Sequence, residues 1–166
     1  KKAEELIIKT GVPKEQRDFW KELGHPNPDY TDSSLKLKYG EFPTFKHIVD
    51  HLGLVEHPDF DVKVKLFRQK PGQILPTHID NYKKSHEVEV SKMALKAKRF
   101  AVALTDWDFG HYWHFGNAFW HQWKCGDCVH WDRTMAHGTA NVGHTDRLTL
   151  QITGIPSEKT LELLKK

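Results

Sequence analysis

DVKVKLFRQKPGQILPTHID, residues 61–80, decides how this chain is read. Its first half alternates, with Val62, Val64 and Leu66 on one side and Lys63 and Lys65 on the other. A period of two is the signature of a half-buried strand. Pro71-Gly72 then turns the chain, and 73–80 reads as a second strand. Side chains alternate along a strand, so His78 and Asp80 can face one cavity together. Either the imidazole and the carboxylate grip something jointly, or they are polar residues where a strand frays into a loop.

The same short-strand pattern continues downstream. Residues 99–105 read as a strand; 112–115 and 118–123 form a hairpin around Gly116-Asn117. Strands at 128–131, 136–141 and 147–152 follow, and 157–166 closes as a helix with Ser157 as its N-cap. Upstream, 1–60 reads as mainly helical with loops. Pro13 opens a helix to about Leu23, 25–29 is a loop, and Thr44 caps a helix over 45–52 that Gly53 ends. Residues 83–98 are charged and helix-compatible, an excursion over the surface. Short strands with few helices among them predict a mainly β protein, a sandwich or jelly roll. We expect one domain over 1–166: a helical support (1–60), a β core (61–155) and a C-terminal helix (156–166).

A chain of 166 residues suits one domain with a real core. A formal charge of +3, with Lys and Arg interleaved among Asp and Glu, argues against a nucleic-acid partner. No apolar run approaches the roughly 20 residues that span a bilayer, and no secretory leader is visible. Two cysteines give no disulfide framework. The expectation is a cytoplasmic monomer without a membrane partner. Five of the six Trp lie between Trp107 and Trp131, and six of the twelve His between His111 and His144, which suggests a lined cavity in that half.

Two ligands hold a redox metal poorly. A third on the same side gives the two-His-one-carboxylate facial triad of non-haem Fe(II) enzymes, with three positions left open. HGTANVGHTDR, residues 137–147, offers His137 on a late strand and Arg147 at the start of the next. Thr149 and Gln151 share the face of Arg147. A bound 2-oxoacid needs such an arrangement, because its far carboxylate requires a rigid cationic fork with a hydroxyl beside it.

In these residues the chain resembles the Fe(II)/2-oxoglutarate-dependent dioxygenases. The resemblance runs from about Val62 to Gly154, through KPGQILPTHID (70–80), WKCGDCVHWD (123–132), HGTAN (137–141) and DRLTL (146–150). It implies a double-stranded β-helix, a jelly-roll relative. It implies Fe(II) on His78, Asp80 and His137, and 2-oxoglutarate held by Arg147 with Thr149 beside it. It implies hydroxylation of an amino-acid side chain with O2, releasing succinate and CO2. The PGxxLPxH segment and the HxxxN…DR ending are similar to the aspartyl/asparaginyl β-hydroxylase group, whose relatives include enzymes acting on proline. Some members of that group lack the carboxylate ligand, whereas Asp80 is present here. They often carry Arg-x-His on the following strand, of which Arg99-Phe-Ala101 keeps only the arginine. Peptidyl prolyl hydroxylases resemble the HxD…H pattern but commonly use Lys where this chain has Arg147. The expected substrate is a peptide, a protein or a free amino acid. The rival class is a non-catalytic cupin-like metal-binding domain, which leaves Arg147 unexplained.

Other residues invite blander readings. Cys125-Gly-Asp-Cys128 lacks the second pair of a zinc ribbon and reads as a tight hairpin turn at Gly126-Asp127. His47 and His51 share a helix face and read as solvated. His111, His114, His121, His130 and His144 read as packing or surface residues, with one or two at most touching the site. Trp113, Trp120, Trp123 and Trp131 read as core, and Lys63 and Lys65 as a solvated face. Asn141 either braces the ligand strand or shapes a turn. The 81–98 and 107–117 segments are candidates for a substrate lid.

Overall fold

The computed structural model describes residues 14–22, 33–37, 43–58, 60–80 and 96–165. In chain order the elements are α1 (Lys14–Glu22), β1 (Ser33–Leu37), α2 (Pro43–Leu52), β2 (Leu54–Val55), β3 (Lys63–Gln69) and β4 (Ile74–His78). Then come β5 (Lys98–Ala103), β6 (His111–Phe115), β7 (Ala118–Trp120), β8 (Cys128–Trp131), β9 (His137–Asn141), β10 (Arg147–Pro156) and α3 (Glu158–Leu163). The strands form two sheets. One has the order β1-β3-β10-β5-β8, with β2 also on β10; the other has the order β4-β9-β6-β7. All strand pairs are antiparallel. Counted from β3 to β10, strands one, eight, three and six make one sheet and strands two, seven, four and five the other. That interleaving is the double-stranded β-helix, a jelly roll in which the chain crosses between sheets repeatedly.

Alternation on β10 separates two environments. Leu148, Leu150 and Ile152 join Val64, Leu66, Phe100 and Val102 in a cluster completed by Val49 and Leu52 of α2. The helix therefore covers the outer face of the larger sheet, and its amphipathic pattern is what the sequence dictates. Arg147, Thr149, Gln151 and Thr153 take the opposite phase and face the space between the sheets. There Ala101 and Ala103 of β5 meet Trp113, Phe115, Trp123 and Trp131. His47 and His51 are exposed on α2, as a solvated face requires.

Several boundaries differ from the sequence reading, most by one to three residues; three differences bear on the site or the sheet edges. The 1–60 region is not wholly helical: β1 pairs with β3 from Ser33↔Arg68 to Leu37↔Val64, covering an edge that would otherwise expose unpaired backbone groups. The Leu35-Lys36-Leu37 alternation that marks it is too short to stand out. β10 continues past Ile152 to Pro156 because Ile155 and Pro156 pair with β2. β4 stops at His78, so Asp80 lies just beyond the strand. The 25–29 loop and most of the 83–98 excursion lie outside the described residues. No described helix is long and apolar enough to cross a membrane.

Candidate metal centre

The strand carrying His78 is bulged. β4 pairs with β9 as Ile74↔Ala140 and Leu75↔Thr139, then as His78↔His137. Three steps on β4 thus answer two on β9, the one-residue surplus of a β-bulge. A one-residue slip exchanges the faces of a strand. Without it Thr77 would oppose His137 and His78 would point outward. With it Thr77 lies on the outer face, 3.0 Å from His114 Nε2, and His78 turns in. Gly138 makes room: a Cβ there would lie 3.0 Å from both Leu75 O and Thr77 N.

The two histidines therefore oppose each other across the ladder, with ring centroids 4.3 Å apart. Asp80, two residues on, reaches both: Oδ1 is 3.8 Å from His78 Nε2 and Oδ2 is 3.8 Å from His137 Nε2. One ligand atom from each of the three lies within 4.8 Å of the others. Metal bonds of about 2.0–2.2 Å put neighbouring ligand atoms about 3–4 Å apart, so the cluster suits one ion between them.

Backbone carbonyls fix the tautomers. His78 Nδ1 lies 2.7 Å from Pro76 O, and His137 Nδ1 lies 3.0 Å from Met135 O. A carbonyl only accepts, so each Nδ1 carries the proton and donates. Each Nε2 then presents a lone pair to the centre, as a metal ligand must. Burial lowers the pKa of His78, and lowers that of His137 to about 4 against the opposing pull of the Asp80 charge. Neutral imidazoles are the ligating form.

Asp80 is held from behind. Arg99 Nη1 donates to Oδ1 in a part-buried ion pair, and Trp131 Nε1 donates to Oδ2 at 3.1 Å. Arg99 Nε donates in turn to Thr153 Oγ1 at 3.2 Å. These contacts leave the carboxylate's remaining lone pairs for a cation. Arg99 also cancels the charge of Asp80, so a bound dication would keep its two positive charges and attract an anion. The sequence reading did not assign Arg99 or Trp131 to the site. Arg99 stood out only as the arginine kept from the Arg-x-His pattern, and Trp131 only as core; the structure sets them opposite each other across β5 and β8.

Arg147 sits at the start of β10, opposite Gln69, and is 3% exposed. Its guanidinium lies 5.0 Å from the Trp113 ring centroid, and Nη1 donates to Tyr112 O at 3.3 Å. On the facing sheet Trp113 pairs with Thr139, and Phe115 pairs with His137. Residues two apart on a strand are separated by about 6.5–7 Å, so Arg147 stacks one layer further in than His137. Thr149 is buried on the same face of β10.

The remaining candidates resolve into structure. Asn141 Nδ2 donates to Gln69 O at 2.9 Å and to Thr145 O at 2.8 Å, and its Oδ1 accepts from Gly143 N at 3.0 Å. It both ties β9 to β3 and shapes the following turn. Cys125 and Cys128 are free and exposed. The turn there spans Lys124 to Asp127, closed by Asp127 N donating to Lys124 O at 2.9 Å, with Gly126 at φ 98°. It is a type II turn leading into β8, not a two-residue hairpin. His111 is buried against Trp123, and none of the five tract histidines joins the three-residue cluster. Trp113, Trp123 and Trp131 are buried core, with Trp131 also serving the site. The 107–117 lid reading is overturned. Residues 111–115 are a central strand, and Val142 N donates to Gly110 O at the barrel end opposite His137. Only the Gly116-Asn117 turn adjoins the site's end, where Gly116 N donates to Ala136 O at 2.7 Å.

No protein-family model matches the chain, and no curated protein matches it. Solved structures do, at low identity. A double-stranded β-helix protein from Klebsiella pneumoniae is 18% identical, over 61% of this chain and 72% of that one, with a TM-score of 0.41. A cupin 2 conserved barrel domain protein from Salinispora arenicola is 12% identical, over 81% and 83%, at 0.43. The Cnp3 cupin domain of Schizosaccharomyces pombe is 10% identical, over 81% and 66%, at 0.46. The fold rests on the strand order described above: the chain is a double-stranded β-helix.

Proposed function

We propose that this protein is an Fe(II)- and 2-oxoglutarate-dependent dioxygenase that hydroxylates an amino-acid side chain, prolyl or aspartyl/asparaginyl, in a peptide or protein. The observation that carries the reading is a pairing of two features. A part-buried and a buried histidine, His78 and His137, each with its Nε2 lone pair turned toward one carboxylate, share an inner wall with a buried arginine one layer away. Two imidazoles and a carboxylate with open positions are the donor set of non-haem iron.

His78, Asp80 and His137 would hold Fe(II). Bound iron supplies the redox chemistry, coupling the reduction of O2 to decarboxylation of 2-oxoglutarate and to hydroxylation of a C–H bond. One oxygen atom leaves in succinate and the other in the new hydroxyl, with CO2 as the third product. The chain's own residues bind and orient. Met135 O and Pro76 O keep both imidazoles in the ligating tautomer. Arg99 and Trp131 keep the Asp80 carboxylate aimed inward. Arg147, with Thr149 beside it, receives the far carboxylate of the co-substrate through charge-assisted bonds. Trp113, Phe115 and Trp131 exclude water around it, which strengthens each of these contacts.

A cupin-like domain that only binds metal would share the barrel and the three ligands. A buried, stacked Arg147 is what that reading leaves unused. Aerobic incubation of iron-loaded protein with 2-oxoglutarate separates the two. We expect succinate to form slowly without a prime substrate and to vanish in His137→Ala. No succinate above the iron-free control, with candidate peptides present, would contradict the proposal.

A further inference from the structure

The inner end of the barrel holds polar atoms that the protein itself leaves unsatisfied. Among the described residues, Trp113 Nε1 and Gln69 Oε1 are buried without a hydrogen-bond partner. Orphaned buried polar atoms are rare and costly. These two are neighbours around Arg147. Gln69 opposes Arg147 directly across β3 and β10, and the guanidinium stacks on Trp113. Thr139 closes the ring: it pairs with Trp113 across β6 and β9, and its Oγ1 lies 2.8 Å from the Gln69 amide. Four strands, β3, β6, β9 and β10, thus converge one side chain each on one place.

The chemistry of the ring is donor-rich. Arginine and the indole N–H only donate. The Gln69 amide turns Nε2 toward Thr139 and leaves Oε1 over, and rotation about the amide's last torsion exchanges its two ends. Turned over, its oxygen accepts from the Thr139 hydroxyl and its NH2 joins Arg147 and Trp113 in facing the ligand. Three donors then converge on an acceptor-only group, which describes a carboxylate. We infer that Trp113 and Gln69, with Thr139 setting the amide, are the residues that read the terminal carboxylate of the oxoacid and select a dicarboxylic over a monocarboxylic co-substrate. The inference rests on the oxoacid reading above, and it assigns specificity to residues outside the metal and arginine motifs.

Trp113→Phe deletes one N–H while keeping a ring under Arg147. Gln69→Leu deletes the amide but keeps the backbone carbonyl that Asn141 uses. The test is calorimetric titration of Mn(II)-loaded protein, without O2 or turnover, using 2-oxoglutarate and 2-oxobutyrate, which shares the oxoacid end but lacks the terminal carboxylate. Wild type is expected to prefer 2-oxoglutarate. Each variant is expected to bind 2-oxoglutarate about 10- to 100-fold more weakly, as loss of a hydrogen bond to a charged group implies, and to bind 2-oxobutyrate unchanged. Equal weakening toward both acids would show general damage and overturn the inference. So would variants matching wild type while Arg147→Met loses the preference, an outcome that leaves the oxoacid reading standing. If wild type and Arg147→Met alike fail to distinguish the two acids, the oxoacid reading itself fails, and the inference with it.

Discussion

Individual side chains at the centre depend on partners that hold them in position. Trp131 illustrates this, because it is core by burial and also donates to Asp80 Oδ2. Loss of such a supporting bond typically costs about 10–100-fold in metal affinity. Trp131→Phe is therefore expected to weaken Mn(II) or Co(II) binding by that factor with the barrel intact, as circular dichroism and a metal titration would show. Unchanged affinity would remove Trp131 from the site. Asp80→Ala is expected to lower metal affinity further and also to destabilise the metal-free protein, because it leaves the part-buried Arg99 charge without its carboxylate. The histidines make a pH prediction. Burial holds His137 at about 4, against an ordinary 6.5, so between those values the unfolded chain binds a proton that the folded protein refuses. Stability of the metal-free protein should then fall as pH drops from above 6.5 toward 4, by on the order of 1–3 kcal/mol from this group. Melting curves across that range, compared with His137→Gln, check it: the variant should lose much of the slope.

Elements decide whether those side chains meet. The β4 bulge is the device that turns His78 inward, and Gly138 is the space it needs. Gly138→Val should push β4 away and displace His78. We expect destabilisation of about 1–3 kcal/mol by thermal or urea melting, with weakened metal binding, while Gly126→Ala in the exposed type II turn should lower stability and spare metal affinity. Equal metal affinity in Gly138→Val and wild type would show that the bulge does not set the site. The alternation of residues 61–69 and the pairing of Pro71-Gly72 with a following strand were legible in sequence, because period two and turn residues are local signals. The bulge was not. Gln73 to Asp80 reads as one unbroken strand, and its phase is fixed only by Leu75 meeting Thr139 and His78 meeting His137, contacts about 60 residues away along the chain. The inward aim of His78 and Asp80 was thus anticipated on a simpler geometry than the one that produces it. The same limit explains Cys125 and Cys128: the local turn was legible, whereas its type followed from the backbone at Gly126.

At the scale of the whole molecule, the interleaved strand order brings residues from both halves of the chain into one cavity. Short strands separated by turns announced a jelly roll, but β1 escaped notice because five residues with one apolar alternation carry little signal. Arg99 was noted as the arginine kept from an Arg-x-His pattern, but its contact with Asp80 was not legible. An arginine on an otherwise apolar strand gains a role only when β5 lies beside β8 and both face Asp80, which is a property of topology. Arg147 and His137 stood out because a ten-residue interval across one turn fixes their relation almost locally. The central claim is that these parts form one centre, with metal at His78, Asp80 and His137 and an oxoacid carboxylate at Arg147. Its most direct test is anaerobic titration of the Fe(II)-loaded protein with 2-oxoglutarate, following the metal-to-ligand absorption that a chelated oxoacid produces. The account predicts a saturable band in wild type and none in His137→Ala. Arg147→Met should need about 10- to 1,000-fold more 2-oxoglutarate to reach half its amplitude, since charge-assisted bonds of about 1.5–3 kcal/mol each are lost. No band in wild type, or superimposable curves for wild type and Arg147→Met, would contradict it.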